Sequence, residues 1–246
     1  MEPEEYGLMN RVEGYHWWYL GMETITRTFL NQYIQSDPKL QILDAGCGTG
    51  HAMSKYLGDY GKVSGIDISR IALEFCSLRQ IQNLANASVE ALPFASGSFD
   101  LVTSFDVLYE QDVSNDSLVI KEFSRVLIHG GHLLLRVPAY DWLRGKHDRT
   151  VHTARRYTTR QVTSLLQDNG FLLERVSYAN MFLFPPALIK RTMENIMPAK
   201  DGRSDLNLEM GRANGLLKAI LSSEAPLVVR YGLPFGLSVF AIARKI

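Results

Sequence analysis

The segment Ile42-Leu43-Asp44-Ala45-Gly46-Cys47-Gly48-Thr49-Gly50 constrains the fold of this 246-residue chain more than any other stretch. A short apolar run that breaks into closely spaced glycines and reopens as a helix is a strand–turn–helix unit. Such a unit brings backbone amide groups close to a ligand. Dinucleotide-binding loops favour G-x-G-x-x-G, whose third glycine lets a helix close on a pyrophosphate. The spacing here is G-x-G-x-G, one residue shorter, and Asp44 stands directly before it. A carboxylate at that point repels a pyrophosphate and suits a cationic amino-acid ligand. Asp67 ends the next apolar run, 21 residues after Gly46, where it can accept from both ribose hydroxyls of an adenosine. The alternative role for Asp67 is a helix N-cap, but Ser69 already offers that.

The rest of the chain repeats the alternation that this unit begins. Leu40–Asp44, Lys62–Asp67, a weaker Leu84–Ala87, Phe99–Ser104 and His132–Val137 read as strands. Helical patterns at His51–Tyr60, Ile71–Leu78 and Leu118–Leu127 fall between them, which implies a mostly parallel sheet covered on both faces. Thr158 and Gln161 have capping-box spacing ahead of Val162, Leu165 and Leu166, with Gly170 as the stop. A strand begins at Phe171, and Leu237–Ile242 reads as the last one. The expected organisation is one domain over residues 1–246. It has an N-terminal helical cap (6–35), a cofactor-binding core (40–180), a helical insertion (185–230) and a last strand (237–245). The insertion either covers a sheet edge or roofs a pocket.

These residues resemble class I S-adenosylmethionine-dependent methyltransferases. The matching elements are the Asp44–Gly50 loop, Asp67, Ala91-Leu92-Pro93-Phe94 leading to Ser98-Phe99-Asp100, and Arg125-Val126-Leu127 before Gly130-Gly131. More narrowly, the chain is similar to a group of bacterial methyltransferases with a His-Trp-Trp segment near the N-terminus, here His16-Trp17-Trp18. The resemblance implies a Rossmann-like, doubly wound α/β fold with a seven-stranded sheet, and S-adenosyl-L-methionine as cofactor. It assigns Asp44, Gly46, Cys47, Gly48, Gly50, Asp67 and Ile68 to that cofactor. It places Ser88 and Val89 at the adenine, Phe105 beside the methionine portion and Trp18 over the ligand. Three departures matter: after Asp106-Val107-Leu108-Tyr109 such sequences often have histidine, where this chain has Glu110. An Asp–Ala pair usually stands where Ser88-Val89 does, and Leu20 and Met22 replace arginines common in relatives.

The acceptor side is expected beyond the carboxyl ends of the fourth and fifth strands. Candidates for a general base are Glu110, His147, His152 and Tyr157, because a protonated oxygen or nitrogen must lose its proton during transfer. Tyr157 either points to the pocket or packs under the following helix. Between Arg136 and Arg160 seven basic side chains face only Asp141 and Asp148. That stretch reads either as a pocket for an anionic acceptor or as a solvated loop whose arginines pair with acids elsewhere. Met181–Pro186 and the insertion line a lipophilic pocket, touch a membrane surface or simply pack the core.

Composition bounds these readings. The 26 basic and 26 acidic residues cancel, which argues against a chain built mainly to bind nucleic acid. Two cysteines form no disulfide framework, there is no metal-ligand spacing, and no uncharged apolar run reaches the roughly 20 residues of a membrane span. The acidic start lacks a signal-peptide layout, so a cytoplasmic protein is expected. The function expected is methyl transfer to nitrogen or oxygen of a small, lipophilic or secondary-metabolite acceptor. The alternatives are C-methylation of a quinone-like or lipid-linked acceptor, and a non-catalytic cofactor-binding scaffold.

Overall fold

The computed structural model describes residues 3–144, 153–196, 211 and 213–246. Two helices, α1 (Pro3–Val12) and α2 (Trp17–Tyr33), precede the sheet. The expected cap is therefore broken at Glu13–His16. There the His16 side chain accepts from the Trp18 N–H and caps α2.

Seven strands follow: β1 (Gln41–Ala45), β2 (Lys62–Asp67), β3 (Leu84–Asn86), β4 (Phe99–Phe105), β5 (Leu127–Pro138), β6 (Phe171–Ala179) and β7 (Ser238–Lys245). Their order is β3-β2-β1-β4-β5-β7-β6, with β7 antiparallel to both neighbours and the other pairings parallel. This is the mostly parallel, doubly wound sheet that the sequence implies. Between the strands run α3 (His51–Lys55), α4 (Arg70–Leu78), α5 (Asp116–Val126) and α6 (Thr159–Gln167). The helix expected over His51–Tyr60 stops at Lys55 and tightens into a 3-10 turn at Leu57–Asp59. The capping box of Thr158 and Gln161 forms as its spacing predicts. The insertion supplies α7 (Phe184–Ile196), α8 (Ala213–Ser223) and α9 (Ala225–Arg230).

Successive residues of the central strands fall into different cores. Leu43, Val102, Leu133 and Leu135 join one buried cluster with Phe123 and Val126 of α5. Their neighbours Ile42, Leu101 and Leu134 join another with Phe29 of α2 and Val228 of α9. Side chains alternate across a strand, so apolar residues on both sides require cover on both faces. Continuous apolar runs such as Leu133-Leu134-Leu135 follow from that requirement. The N-terminal cap and the insertion pack on the same side: the α2 Gly21 Cα lies so close to Leu221 of α8 that a Cβ would meet it at 2.5 Å.

Phe240 of β7 is fully buried and stacks on Phe29 with ring centroids 5.5 Å apart. Replacing it by alanine removes a large packed ring. Phe240→Ala is expected to lower unfolding free energy by about 3–5 kcal/mol, read from urea denaturation. A loss below about 1 kcal/mol would mean that α2 does not pack on the sheet as described.

Candidate functional site

The strand order reverses between β1 and β4, and a cavity of about 560 Å³ opens beyond the carboxyl ends of β1, β2, β4 and β5. Doubly wound sheets place ligands at such a switch point because the diverging helices leave a crevice there. Asp44, Gly46, Cys47, Gly48, Asp67, Ile68, Ser88, Val89, Phe105, Trp18 and Glu110 all line it. Ten of the eleven residues that the sequence assigns to a cofactor are thus brought into one cavity, together with one of the four base candidates.

The loop is built differently from the expectation. Its amide groups face the protein: Gly46 and Cys47 donate to the Ile66 carbonyl at 2.9 and 2.8 Å, and Gly48 donates to Asp67 Oδ2 at 2.9 Å. The glycines matter here through shape. Gly46 has φ +82°, and a Cβ on it would lie 2.2 Å from Val107 Cγ2. Gly50 is the assigned residue that does not line the cavity. It sits at the left-handed N-cap of α3, where a Cβ would meet Ile81 at 2.6 Å and Cys76 Sγ at 2.9 Å. Its role is close packing of α4, which permits no side chain.

Asp67 holds both the loop and the next helix. Oδ1 accepts from the Ser69 N–H at 2.8 Å and Oδ2 from Gly48, while Ser69 itself caps α4. Each carboxylate oxygen keeps a second lone pair for a ligand hydroxyl. Burial raises the Asp67 pKa, and the two backbone N–H groups work against that rise. Beside it, the Val89 N–H finds no acceptor among the described residues, and Ser88 Oγ accepts from the Glu90 N–H at 3.2 Å. Asp44 is buried and accepts from Thr103 Oγ1 at 2.7 Å, and burial pushes its pKa up to about 6.

Arg136 completes the centre. Its guanidinium lies 5.0 Å from the Trp18 ring and 5.1 Å from Phe105, and its Nε donates to Asp106 Oδ2 at 2.8 Å. Asp106 adopts φ +58° at the end of β4. Sequence reasoning counted Arg136 only as part of a charge run, because its rings come from α2 and β4. It also missed Glu13. That buried carboxylate accepts from Thr49 Oγ1 at 2.7 and 2.8 Å and pairs with Arg79, tying the end of α1 to the loop.

On the acceptor side Glu110 lines the cavity, and burial raises its carboxyl to about 7, with Asp112 and Asp67 adding to the rise. Tyr157 is corrected: it is buried in the core, its hydroxyl 2.9 Å from Asp116 Oδ2 and 3.0 Å from the Leu108 carbonyl. Those bonds hold it in the core and away from the cavity lining. His147 and His152 lie outside the described residues, as do Lys146, Asp148 and Arg149. The basic stretch divides. Arg144 pairs with Asp141 and Arg155 with Asp116, whereas Arg136 and Arg156 line the cavity. Leu183, Pro186, Ala187, Lys190 and Arg191 around α7 and Leu217 of α8 line it too, so residues of the insertion join the cavity wall. No group of three or more His, Cys, Asp or Glu suited to a metal occurs among the described residues, and none of their helices is long and apolar enough to cross a membrane.

Residues 43–135 match the family described as a methyltransferase domain. The ubiquinone/menaquinone biosynthesis C-methyltransferase of Shewanella woodyi is 29% identical over 157 residues, 58% of this chain and 60% of that protein. The chain spans 40 to 60% of the length of curated relatives such as this one and the demethylmenaquinone methyltransferase of Lactococcus lactis. Among solved structures, a methyltransferase bound to the Trm112 activator of Haloferax volcanii superposes with a TM-score of 0.63 at 16% identity. The match covers 99% of this chain and 93% of that one. The geranyl diphosphate C-methyltransferase of Streptomyces coelicolor, solved with geranyl diphosphate and S-adenosyl-L-homocysteine, gives 0.61 at 14% identity, covering 91% and 79%. At these identities the likenesses establish the fold.

The raised Asp44 pKa has a stability consequence. Burial disfavours its charged form, so the fold is penalised by this group above about pH 6. The penalty fades as pH falls toward the unfolded value near 3.9. Asp44→Asn is expected to raise the melting temperature at pH 7.5 and leave it unchanged at pH 4. It should also weaken binding of a cationic amino-acid ligand by more than tenfold. Equal melting temperatures at pH 7.5 would contradict the buried charge.

Proposed function

We propose that this chain, whose residues 43–135 match the methyltransferase-domain family, is an S-adenosylmethionine-dependent methyltransferase acting on oxygen or nitrogen of a small apolar acceptor. One observation carries the reading: Asp67, the glycine loop, the Val89 N–H and the Asp44 carboxylate meet in the cavity that also holds Glu110. The volume, about 560 Å³, suits a nucleoside-sized ligand and a small partner together. Asp67 fits ribose hydroxyls, Val89 fits a ring nitrogen of adenine, and Asp44 is the anion for an amino-acid ammonium. The bound cofactor supplies a methyl group already activated on a sulfonium sulfur.

The protein's own task is then alignment and proton removal. Trp18, Phe105 and the insertion exclude water and hold the acceptor in line, where orientation alone contributes much of the rate. Glu110 takes the acceptor's proton. With its pKa near 7, it is an ionised base above neutrality and stronger than an ordinary carboxylate. His147 and His152 remain the other base candidates.

Carbon methylation of a quinone-like acceptor is the second reading, favoured by the similarity to the Shewanella woodyi quinone-pathway C-methyltransferase. The same base serves it, because ionising a ring hydroxyl activates the neighbouring carbon. Labelled-methyl transfer to an extract separates the two readings by whether the product is an ether or amine, or carries a carbon–methyl bond. A non-catalytic scaffold would bind the cofactor and label nothing.

Two outcomes are expected. Asp67→Ala should weaken S-adenosylmethionine binding at least tenfold in calorimetry, consistent with charge-assisted hydrogen bonds of about 1.5–3 kcal/mol; unchanged affinity removes the ribose assignment. Turnover should rise through about pH 7 as Glu110 ionises, and Glu110→Gln should flatten that rise and lower kcat about 10²–10⁴-fold with cofactor affinity intact. A variant with the wild-type pH profile excludes Glu110 as the base.

A further inference from the structure

Asn180, just past β6, is a polar residue of the cavity wall. It is 1% exposed, and its Oδ1 has no hydrogen-bond partner among the described residues. Its backbone is left-handed, φ +63°, a conformation that asparagine tolerates but that is rarely adopted without cause. A buried amide oxygen left unpaired is unfavourable, and native proteins keep few of them.

The fold holds this residue firmly. Glu224, fully buried between α8 and α9, accepts from the backbone N–H groups of Asn180, Met181 and Phe182, the last two at 3.0 and 2.7 Å. On the other side, the Leu237 N–H donates to the Ala179 carbonyl at 2.9 Å, and Gly236 lies so close that a Cβ would come within 2.2 Å of that oxygen. A buried carboxylate, a left-handed asparagine and a tight glycine contact therefore fix one turn. None of these groups bonds the side-chain amide. Strain and an orphaned polar atom at a cavity wall are the signature of a group kept for a ligand.

The surrounding wall gives the ligand its character. Leu183, Pro186, Leu237 and Pro138 line the same end, with Ser238 beside Asn180 across the β6–β7 pair, whose register joins Ala179 to Ser238. We propose that Asn180 is a specificity-determining residue that hydrogen-bonds a hydroxyl on an otherwise apolar acceptor. A hydroxyl both donates and accepts, so it satisfies the amide whichever way the amide is turned. A site that leaves a polar group unpaired discriminates strongly against the ligand lacking its partner. This inference rests on the reading of the cavity as a joint site for methyl donor and acceptor.

The test compares 2-naphthol with 2-methylnaphthalene, which differ by a hydroxyl in place of a methyl, on protein saturated with S-adenosylhomocysteine. Wild-type protein should bind 2-naphthol at least tenfold more tightly. Asn180→Gly removes the amide and relaxes the left-handed turn. It should keep S-adenosylhomocysteine affinity within twofold, melt no lower than wild type, and bind the two aromatics within twofold of each other. Equal affinities in wild type, binding of neither aromatic, a preference that survives in Asn180→Gly, or a lowered melting point with lost nucleoside affinity each overturns the assignment. Failure of the wild type to bind S-adenosylhomocysteine at all counts against the donor reading itself, and so is distinguishable.

Discussion

The carboxylate of Asp67 joins three elements through two oxygens. It takes the Gly48 N–H from the glycine loop and the Ser69 N–H from the start of α4, while its own backbone sits at the end of β2. The loop is thereby locked to the neighbouring strand before any ligand arrives, and the ligand-facing lone pairs are aimed by the same bonds that hold the turn. Pre-organisation of this kind lowers the ordering needed on binding. The rest of the cavity is arranged around that fixed point. Val89 follows β3, Asp44 and Phe105 end β1 and β4, and Arg136 ends β5.

Burial is the second constraint, and it works on several carboxylates at once. Asp44, Asp67, Glu13 and Glu110 are all pushed toward their protonated forms by desolvation, to different extents according to the bonds that oppose it. Asp67 has the backbone N–H groups of Ser69, Gly48 and Ile68 against the rise, Asp44 the Thr103 hydroxyl and Arg136, and Glu13 the Thr49 hydroxyl, His51 and Arg79. Acidic side chains also outnumber arginines and lysines among the described residues that line the cavity. That balance favours a sulfonium-bearing amino acid over a dinucleotide. The chemistry of the loop's shortened glycine spacing and the electrostatics of the cavity thus agree.

Local signals carried most of the fold. Lys62–Asp67 as a strand, the capping box of Thr158 and Gln161, and Ser69 as the cap of α4 are short-range features, and the structure forms each of them. The break at Glu13–His16 was not visible, because helical spacing continues across it and only the ties to Thr49 and Arg79 reveal why the chain turns. Tyr157 was ambiguous for the same reason: whether a tyrosine faces a pocket or a core depends on Asp116, 41 positions away. Arg136 and Asn180 were silent in sequence because their meaning comes from Trp18, Phe105 and Glu224, all distant in the chain. Motifs report groups that act within a few residues; a cavity wall assembled from strand ends and an insertion reports itself only in three dimensions.

The proposed site has the glycine loop and Asp67 cradling an adenosine whose sulfur-bearing arm runs toward Asp44. A crystal structure of the protein grown with S-adenosylhomocysteine tests that placement. Both ribose hydroxyls are expected within hydrogen-bond distance of Asp67, the adenine edge at the Val89 N–H, and the amino group beside Asp44. A nucleoside bound outside this cavity, or seated in it with the ribose turned away from Asp67, would contradict it.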